Sequence, residues 1–166
     1  MKLEELECVK DNVDLDEYIK IREEVKSTME HPEWLGDFTK EEITFIINNG
    51  GGLWMYYYNN DPVCSMMLIP TNEKAISKFN LSYTPDEITS YGPEFVMPKY
   101  RGNKLQYQML MYLDEYSKNL GYSYAVGTVH PDNTFSINNL LKDDFEMTGF
   151  KEFTRGPRNI YLKRFK

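Results

Sequence analysis

The segment Pro98–Gln106, which reads Pro-Lys-Tyr-Arg-Gly-Asn-Lys-Leu-Gln, joins a short Arg-Gly turn to the predicted start of a helix. It follows a predicted strand, Tyr91–Met97. A helix start points free backbone N–H groups and the positive end of the helix dipole at one place, which suits a phosphate or pyrophosphate group. Gly102 permits the turn and a close approach of ligand to backbone. Arg101 and Lys104 could add charge-assisted contacts to such an anion.

Two titratable residues belong to the predicted strands beside this segment, one within a strand and one at the end of a strand. Glu94 precedes Val96 by two positions, so both side chains are predicted on one face of the strand. A carboxylate there could deprotonate an ammonium group directly or through water, although a salt-bridged strand glutamate is an equal alternative. His130 ends the predicted strand Tyr122–Val129 and could titrate near neutral pH. A His-Pro turn that only terminates the strand is the alternative for this residue.

The elements that must position these residues follow the order β α α β β β α β α β β. Asp14 with Glu17, and Thr39 with Glu42, have capping-box spacing before the first two helices. Residues 3–10, 53–59, 63–69, 91–97, 122–129, 145–154 and 159–164 are predicted strands, and residues 70–90 give no clear pattern. The fold class is α/β with a mixed, mostly antiparallel sheet. One central parallel pair forms where a helix joins residues 91–97 to 122–129.

Length and charge limit the remaining possibilities. The 166 residues are predicted to form one domain, residues 1–166. The net charge of −7 argues against a nucleic-acid partner. No long apolar run or signal-peptide pattern predicts a membrane segment. Cys8 and Cys64 lack metal-binding or CxxC spacing, so we expect buried reduced thiols, no metal and a cytoplasmic protein.

The element order and the Arg-Gly turn resemble the GNAT N-acetyltransferase superfamily. In that family the acyl-CoA motif reads Gln/Arg-x-x-Gly-x-Gly/Ala, and here Lys99–Lys104 takes its place. The wider run Val96–Gln106 is similar to bacterial members. A second family feature, an Asn at the start of the next helix with a small residue three positions on and a closing Phe, is matched by Asn133, Ser136 and Phe145.

The resemblance implies acetyl-CoA as cosubstrate and no metal. It implies that Val96 and Met97 belong to a strand that splays from its neighbour and offers backbone to the pantetheine arm. A backbone N–H near these two residues would polarise the thioester carbonyl. The cradle for the pyrophosphate would be formed by Arg101, Gly102, Asn103, Lys104, Leu105 and Gln106. Asn133 and Ser136 would contact the cosubstrate or cap their helix.

Three positions depart from the family pattern. Lys104 replaces the last Gly or Ala of the motif, and we expect its N–H to remain available because a helix start needs no positive φ. Leu140 stands where many members have a tyrosine that protonates the departing thiolate. Asp144 replaces the Gly before the closing Phe.

The resemblance implies an N-acetyltransferase that moves an acetyl group from acetyl-CoA to a primary amine by direct attack in a ternary complex. The catalytic candidates are Glu94 and His130. A non-catalytic acyl-CoA-binding or regulatory module that has lost the acid, and a purely structural domain, remain alternatives. The acceptor stays open among polyamines, aminoglycosides, amino acids and peptide amines. Exposed aromatic residues on the last strands would be consistent with a homodimer.

Overall fold

One mixed sheet of eight strands carries five α-helices in the computed structural model, which describes residues 1–166. The elements in chain order are β1 Glu7–Lys10, α1 Leu15–Ser27, α2 Lys40–Asn48, β2 Gly52–Tyr58, β3 Asp61–Pro70, α3 Glu73–Lys78, β4 Ile88–Tyr91, β5 Phe95–Val96, α4 Leu105–Asn119, β6 Tyr124–Val129, α5 Thr134–Lys142, β7 Glu146–Phe153 and β8 Gly156–Arg164. No helix has both the length and the apolar character that crossing a membrane requires.

Side-chain caps fix where the first helices begin. The carboxylate of Asp14 accepts hydrogen bonds from the N–H groups of Asp16 and Glu17, 3.0 and 3.2 Å away. Thr39 and Glu42 form the complete reciprocal capping box predicted from their spacing. These caps satisfy N–H groups that would otherwise have no partner within the helix.

The strands lie in the order β1-β2-β3-β4-β6-β8-β7, and β5 pairs with β3 beyond the end of β4. Only β4 and β6 are parallel, and α4 forms the crossover that joins them. All other pairs are antiparallel. The predicted fold class, a mostly antiparallel mixed sheet with one central parallel pair, is confirmed.

The predicted strand Tyr91–Met97 is wrong in its bounds. The parallel strand β4 ends at Tyr91, and β5 starts only at Phe95 after Gly92, Pro93 and Glu94. Proline has no N–H to donate to a ladder, so the strand is interrupted there and resumes against β3.

Three other predictions also need correction. Residues 3–10 begin as a 3-10 turn and become a strand only at Glu7. The unreadable stretch 70–90 contains α3, capped by Asn72. Both cysteines are free thiols, but Cys8 is exposed because β1 is an edge strand.

Helices α3 and α4 lie on opposite faces of the sheet. Tyr91 on β4 reaches Asp114 of α4, whereas Ile88, three positions earlier and on the other face, packs with Ile76 of α3. Helix α5 lies beside α4. The principal apolar cluster includes fully buried residues from the strands and helices, among them Trp54, Met67, Met109 and Leu113.

Candidate functional site

The central parallel pair opens into a gap. Strand β4 pairs with β6 only from Ile88 to Ser90, opposite Tyr124–Val126. Beyond that point β6 continues to Val129 with β8 as its only partner, while β5 pairs with β3 on its far side. The edges of β5 and of Gly127–Val129 therefore border an opening in the middle of the sheet.

One backbone donor on β5 faces this opening. The N–H of Met97 donates to the carbonyl of Val63 on β3, 2.8 Å away. Because donors alternate between the two edges of an antiparallel strand, the N–H of Val96 points to the opposite edge, toward the gap. We expected a free backbone N–H near Val96 or Met97. The N–H of Met97 is excluded because it has a partner, and the N–H of Val96 remains.

The start of α4 carries a group of free N–H donors. The first helical hydrogen bond runs from Gln108 N to the carbonyl of Lys104, at 3.1 Å, and no side chain caps the helix. The N–H groups of Lys104, Leu105, Gln106 and Tyr107 therefore have no partner within the helix. Together with the helix dipole, they make the helix start attractive to an anion.

The backbone of this turn is left-handed at two positions. Gly102 has φ +88°, as its residue type allows, and Lys104 has φ +57° and ψ 27°. Our expectation that Lys104 needs no positive φ is wrong. The left-handed region costs a non-glycine residue about 1 to 2 kcal/mol. This cost gives a physical reason for the glycine that the acyl-CoA motif has at this position.

Side chains hold the loop before α4 in place. Asp61, the first residue of β3, accepts hydrogen bonds from the phenol of Tyr100 at 2.6 Å and the ammonium group of Lys99 at 3.2 Å. The side-chain amide of Asn103 donates to the carbonyl of Tyr100 at 2.9 Å. The amide of Asn103 thus stabilises the loop internally.

Polar side chains join the starts of α4 and α5. Asn133 caps α5 by accepting from the N–H of Ser136 at 3.3 Å, as predicted for a cap. Gln106 donates to Ser136 Oγ at 3.1 Å and accepts from Asn139 at 2.8 Å. Cosubstrate contacts by Asn133 and Ser136 stay a prediction.

Glu94 lies in the connection between β4 and β5, at the edge of the gap. Its Oε1 atom is buried and has no hydrogen-bond partner. Burial raises the pKa of this carboxyl to about 8, and the negative charges of Asp114 and Asp143 add to the shift. A carboxyl with a pKa near the working pH, and with one oxygen unpaired, can exchange a proton with a bound substrate.

A buried polar cluster beneath the gap was not predicted from the sequence. Asp114 on α4 accepts hydrogen bonds from Tyr91 and from Lys163 on β8, and Lys163 also donates to Asp143 at 3.1 Å. Burial and then Asp114 raise the pKa of Asp143 against the opposing effect of Lys163. A polar residue on the apolar face of α4 was the signal available for Asp114.

The other rim of the gap carries a stack of three rings. Trp34, in the connection between α1 and α2, stacks on His31 at 4.4 Å and on His130 at 5.0 Å between ring centroids. The guanidinium of Arg158 donates to the carbonyl of Glu33 at 2.8 Å and so fastens this connection to β8. The stack thus lies at the end of β6, where the gap opens.

His130 makes a local hydrogen bond within its own turn. Its Nδ1 atom accepts from the N–H of Asp132 at 3.1 Å, so the neutral ring carries its proton on Nε2. No hydrogen bond joins it to Glu94. Glu94 thus precedes β5 and His130 follows β6, the two strands that border the opening, and a catalytic role for either residue stays a prediction.

Leu140 closes the floor of the gap beside β6. It is 6% exposed, and a Cβ atom added to Gly127 would lie 3.9 Å from its Cδ2 atom. The position at which the motif commonly has a tyrosine therefore offers no hydroxyl. No group of three or more His, Cys, Asp or Glu side chains is arranged to hold a metal ion.

Comparison with known proteins identifies the fold. No family model and no curated protein matches the sequence. Solved structures match over nearly the whole chain. An N-acetyltransferase from Staphylococcus aureus Mu50 superposes with a TM-score of 0.70 at 15% identity, covering 96% of this chain and 99% of that one.

Two further structures have ligands bound. A GNAT family acetyltransferase from Elizabethkingia anophelis with acetyl-CoA bound gives a TM-score of 0.66 at 16% identity, with 96% and 98% of the two chains covered. The aminoglycoside acetyltransferase AAC(6')-Ib in complex with coenzyme A gives 0.69 at 13% identity, with 95% of each covered. The chain therefore has the fold of the GNAT acetyltransferases.

Proposed function

We propose that this chain, which has the GNAT fold, is an acetyl-CoA-dependent N-acetyltransferase that acts on a primary amine. The observation that carries the proposal is that free backbone N–H donors occur at two neighbouring places. The N–H of Val96 faces the gap between β5 and β6, and the unpaired N–H groups of Lys104–Tyr107 start the helix that follows. An acyl carrier with an extended arm and a pyrophosphate group would satisfy both sets.

The residues present fit that cosubstrate. The N–H groups at the start of α4 would bind the pyrophosphate, and the side chains of Arg101 and Lys104 would add positive charge. The exposed edge of β5 would pair with the amides of the pantetheine arm, as a peptide adds to a sheet edge. Asn133 and Ser136, at the start of α5, would border the same arm.

Bound acetyl-CoA supplies the acetyl group as a thioester. The N–H of Val96 would donate to the carbonyl oxygen and stabilise its negative charge while the amine nitrogen attacks the carbonyl carbon. Glu94 would take the proton that the amine loses. The C–S bond then breaks, and the thiolate is protonated by water because Leu140 provides no acid. Holding the two substrates together would supply much of the acceleration.

The acceptor would enter past the stack of His31, Trp34 and His130. Carboxylates lie beside both histidines: Glu33 is 3.4 Å from His31, and Asp132 is 4.0 Å from His130. An opening with rings and carboxylates suits a cationic amine, carried by a small molecule or a peptide. The aminoglycoside acceptor of one structural neighbour is an example of the small-molecule class.

A non-catalytic acyl-CoA-binding module is the second candidate, and Leu140 is the observation that favours it. The apolar side chain removes the usual proton donor while leaving the cradle intact. Such a module would bind acetyl-CoA and leave it unchanged.

The test measures release of free CoA thiol from acetyl-CoA with a panel of polyamines, aminoglycosides, amino acids and peptides. We expect release with one amine class, reduced at least about 100-fold by Glu94→Gln. Glu146→Gln, at an exposed position on β7, is the matched control and should not change the rate. Acetyl-CoA binding with no release for any amine would favour the non-catalytic module, and absence of binding would contradict both.

A further inference from the structure

Gln108, in the first turns of α4, makes three hydrogen bonds to segments outside its helix. Its Oε1 atom accepts from the N–H of Leu3 at 2.8 Å. Its Nε2 atom donates to the carbonyls of Asn103 at 3.0 Å and Met1 at 3.2 Å. Because Leu3 N can only donate and both carbonyls can only accept, the network fixes which end of the amide is oxygen.

The bond to Asn103 controls the next peptide group. The peptide between Asn103 and Lys104 is trans and planar, so its C=O and N–H point in opposite directions. Since the carbonyl of Asn103 is directed at Gln108, the N–H of Lys104 is directed away, toward the open start of the helix. That N–H is the first of the four free donors of the cradle.

The same peptide adjoins the least favourable backbone conformation of the turn. Lys104 is left-handed at φ +57°, a region that a residue with a Cβ leaves readily unless its surroundings hold it. The neighbouring left-handed residue is Gly102, which accepts its φ of +88° without cost. A lysine in this position therefore needs an external restraint that a glycine does not.

We propose that Gln108 is a positioning residue for cosubstrate binding, which holds the Asn103–Lys104 peptide so that the N–H of Lys104 faces the pyrophosphate. The inference rests on the proposed function. In proteins with glycine at this position of the motif, the residue adopts positive φ without steric cost. Here the hydrogen bond from Gln108 would hold Lys104 in that conformation.

The test is a double-mutant cycle between positions 108 and 104, read by calorimetric titration with acetyl-CoA and by steady-state kinetics. Gln108→Met keeps the length of the side chain and removes all three hydrogen bonds. We expect it to raise Kd and KM for acetyl-CoA about tenfold and to leave kcat within twofold. With Lys104→Gly present, the same substitution should raise Kd threefold or less, because glycine populates positive φ readily.

Asn139→Leu is the matched control, since it also removes a side-chain amide bond to α4, the one to Gln106, and leaves the Asn103–Lys104 peptide intact. We expect its Kd to stay within twofold of the native value. An equal loss from Gln108→Met in both backgrounds, or no loss in either, would overturn the positioning role.

Urea unfolding of the same four proteins without ligand separates this inference from the proposed function. If native protein fails to bind acetyl-CoA, the proposed function is contradicted. The restraint that Gln108 places on Lys104 can still be measured from the urea unfolding midpoints. A smaller loss of unfolding midpoint from Gln108→Met in the Lys104→Gly background supports the restraint on Lys104. An equal loss in the two backgrounds overturns it.

Discussion

The phenol of Tyr91 donates a hydrogen bond to the carboxylate of Asp114 across the contact between β4 and α4. This bond lies directly beneath the point where the parallel pair opens. Lys163 and Asp143 complete the cluster, and the charge of Asp114 extends to Glu94. The helix that follows the Arg-Gly turn thus also carries the charge that raises the pKa of Glu94, the candidate base.

Asp114→Asn tests the structural role of this cluster. The substitution leaves the partly buried ammonium of Lys163 with Asp143 as its only carboxylate, so we expect the free energy of unfolding to fall by about 2 to 4 kcal/mol. Urea unfolding at neutral pH measures it. Asp16→Asn is the control, because the pair of Asp16 with Lys40 is exposed and should contribute less than about 1 kcal/mol. An equal loss of unfolding free energy in the two variants would mean that the buried cluster stabilises the fold no more than an exposed ion pair does.

The pH dependence of the rate should report Glu94. Only the deprotonated carboxylate can accept a proton, so kcat should rise with pH and level off near its pKa of about 8. Glu94→Gln should lack that break. Asp114→Asn should move the break to lower pH, because a negative charge that raises the pKa of Glu94 has been removed. A break that persists unchanged in Glu94→Gln would assign the titration to another group.

The pH dependence of stability gives an independent measure of the same carboxyl. Its pKa is about 8 in the folded chain against an ordinary 4.5, so the folded state binds the proton more tightly. Stability should therefore fall as pH rises through this window, with the loss complete above pH 8. Relative to the native protein, the free energy of unfolding of Glu94→Gln should rise by on the order of 4 to 5 kcal/mol between pH 4 and 8.5. A constant difference across that range would contradict the buried, protonated carboxyl.

Trp34→Ala should separate the two substrate sites. It removes the stacking contacts with His31 and His130 at the rim of the gap. We expect KM for the amine to rise about tenfold, because the two histidine rings that border its proposed entry lose the ring that holds them, and Kd for acetyl-CoA to stay within twofold. Phe45→Ala, at a residue of α2 that is 68% exposed, is the control. A change in Kd for acetyl-CoA alone would place the stack at the cosubstrate site.

Local signals in the sequence predicted much of the fold. Apolar residues such as Leu105, Met109 and Leu113 recur at helical spacing in α4, and the Arg-Gly turn before them marks where it begins. The break between β4 and β5 was missed, although Gly92 and Pro93 lie inside the predicted strand. The apolar residues on both sides of these two, Tyr91 before them and Phe95–Met97 after them, concealed the interruption.

The missed parts of the site depend on contacts between distant segments. Trp34 and His130 stack although they are far apart in the chain, and no spacing rule brings them together. The left-handed backbone of Lys104 could not be read from its residue type, because lysine seldom adopts it and the restraint comes from tertiary contacts. The unusual pKa of Glu94 likewise depends on burial and on Asp114, which belongs to another element.

The most direct test of the account is calorimetric titration of native protein, Gly102→Ala and Gly121→Ala with acetyl-CoA. Both glycines have strongly positive φ, +88° and +96°, and both have open space where a Cβ would lie. Each alanine should therefore cost about 1 kcal/mol of stability, through backbone strain alone. Only Gly102 adjoins the free N–H groups at the start of α4, whereas Gly121 follows its end.

We predict micromolar binding by native protein, binding at least about tenfold weaker in Gly102→Ala, and binding within twofold of native in Gly121→Ala. Failure of the native protein to bind acetyl-CoA, or an equal effect of the two alanines, would contradict the assignment of the α4 start as the site that binds the acyl carrier.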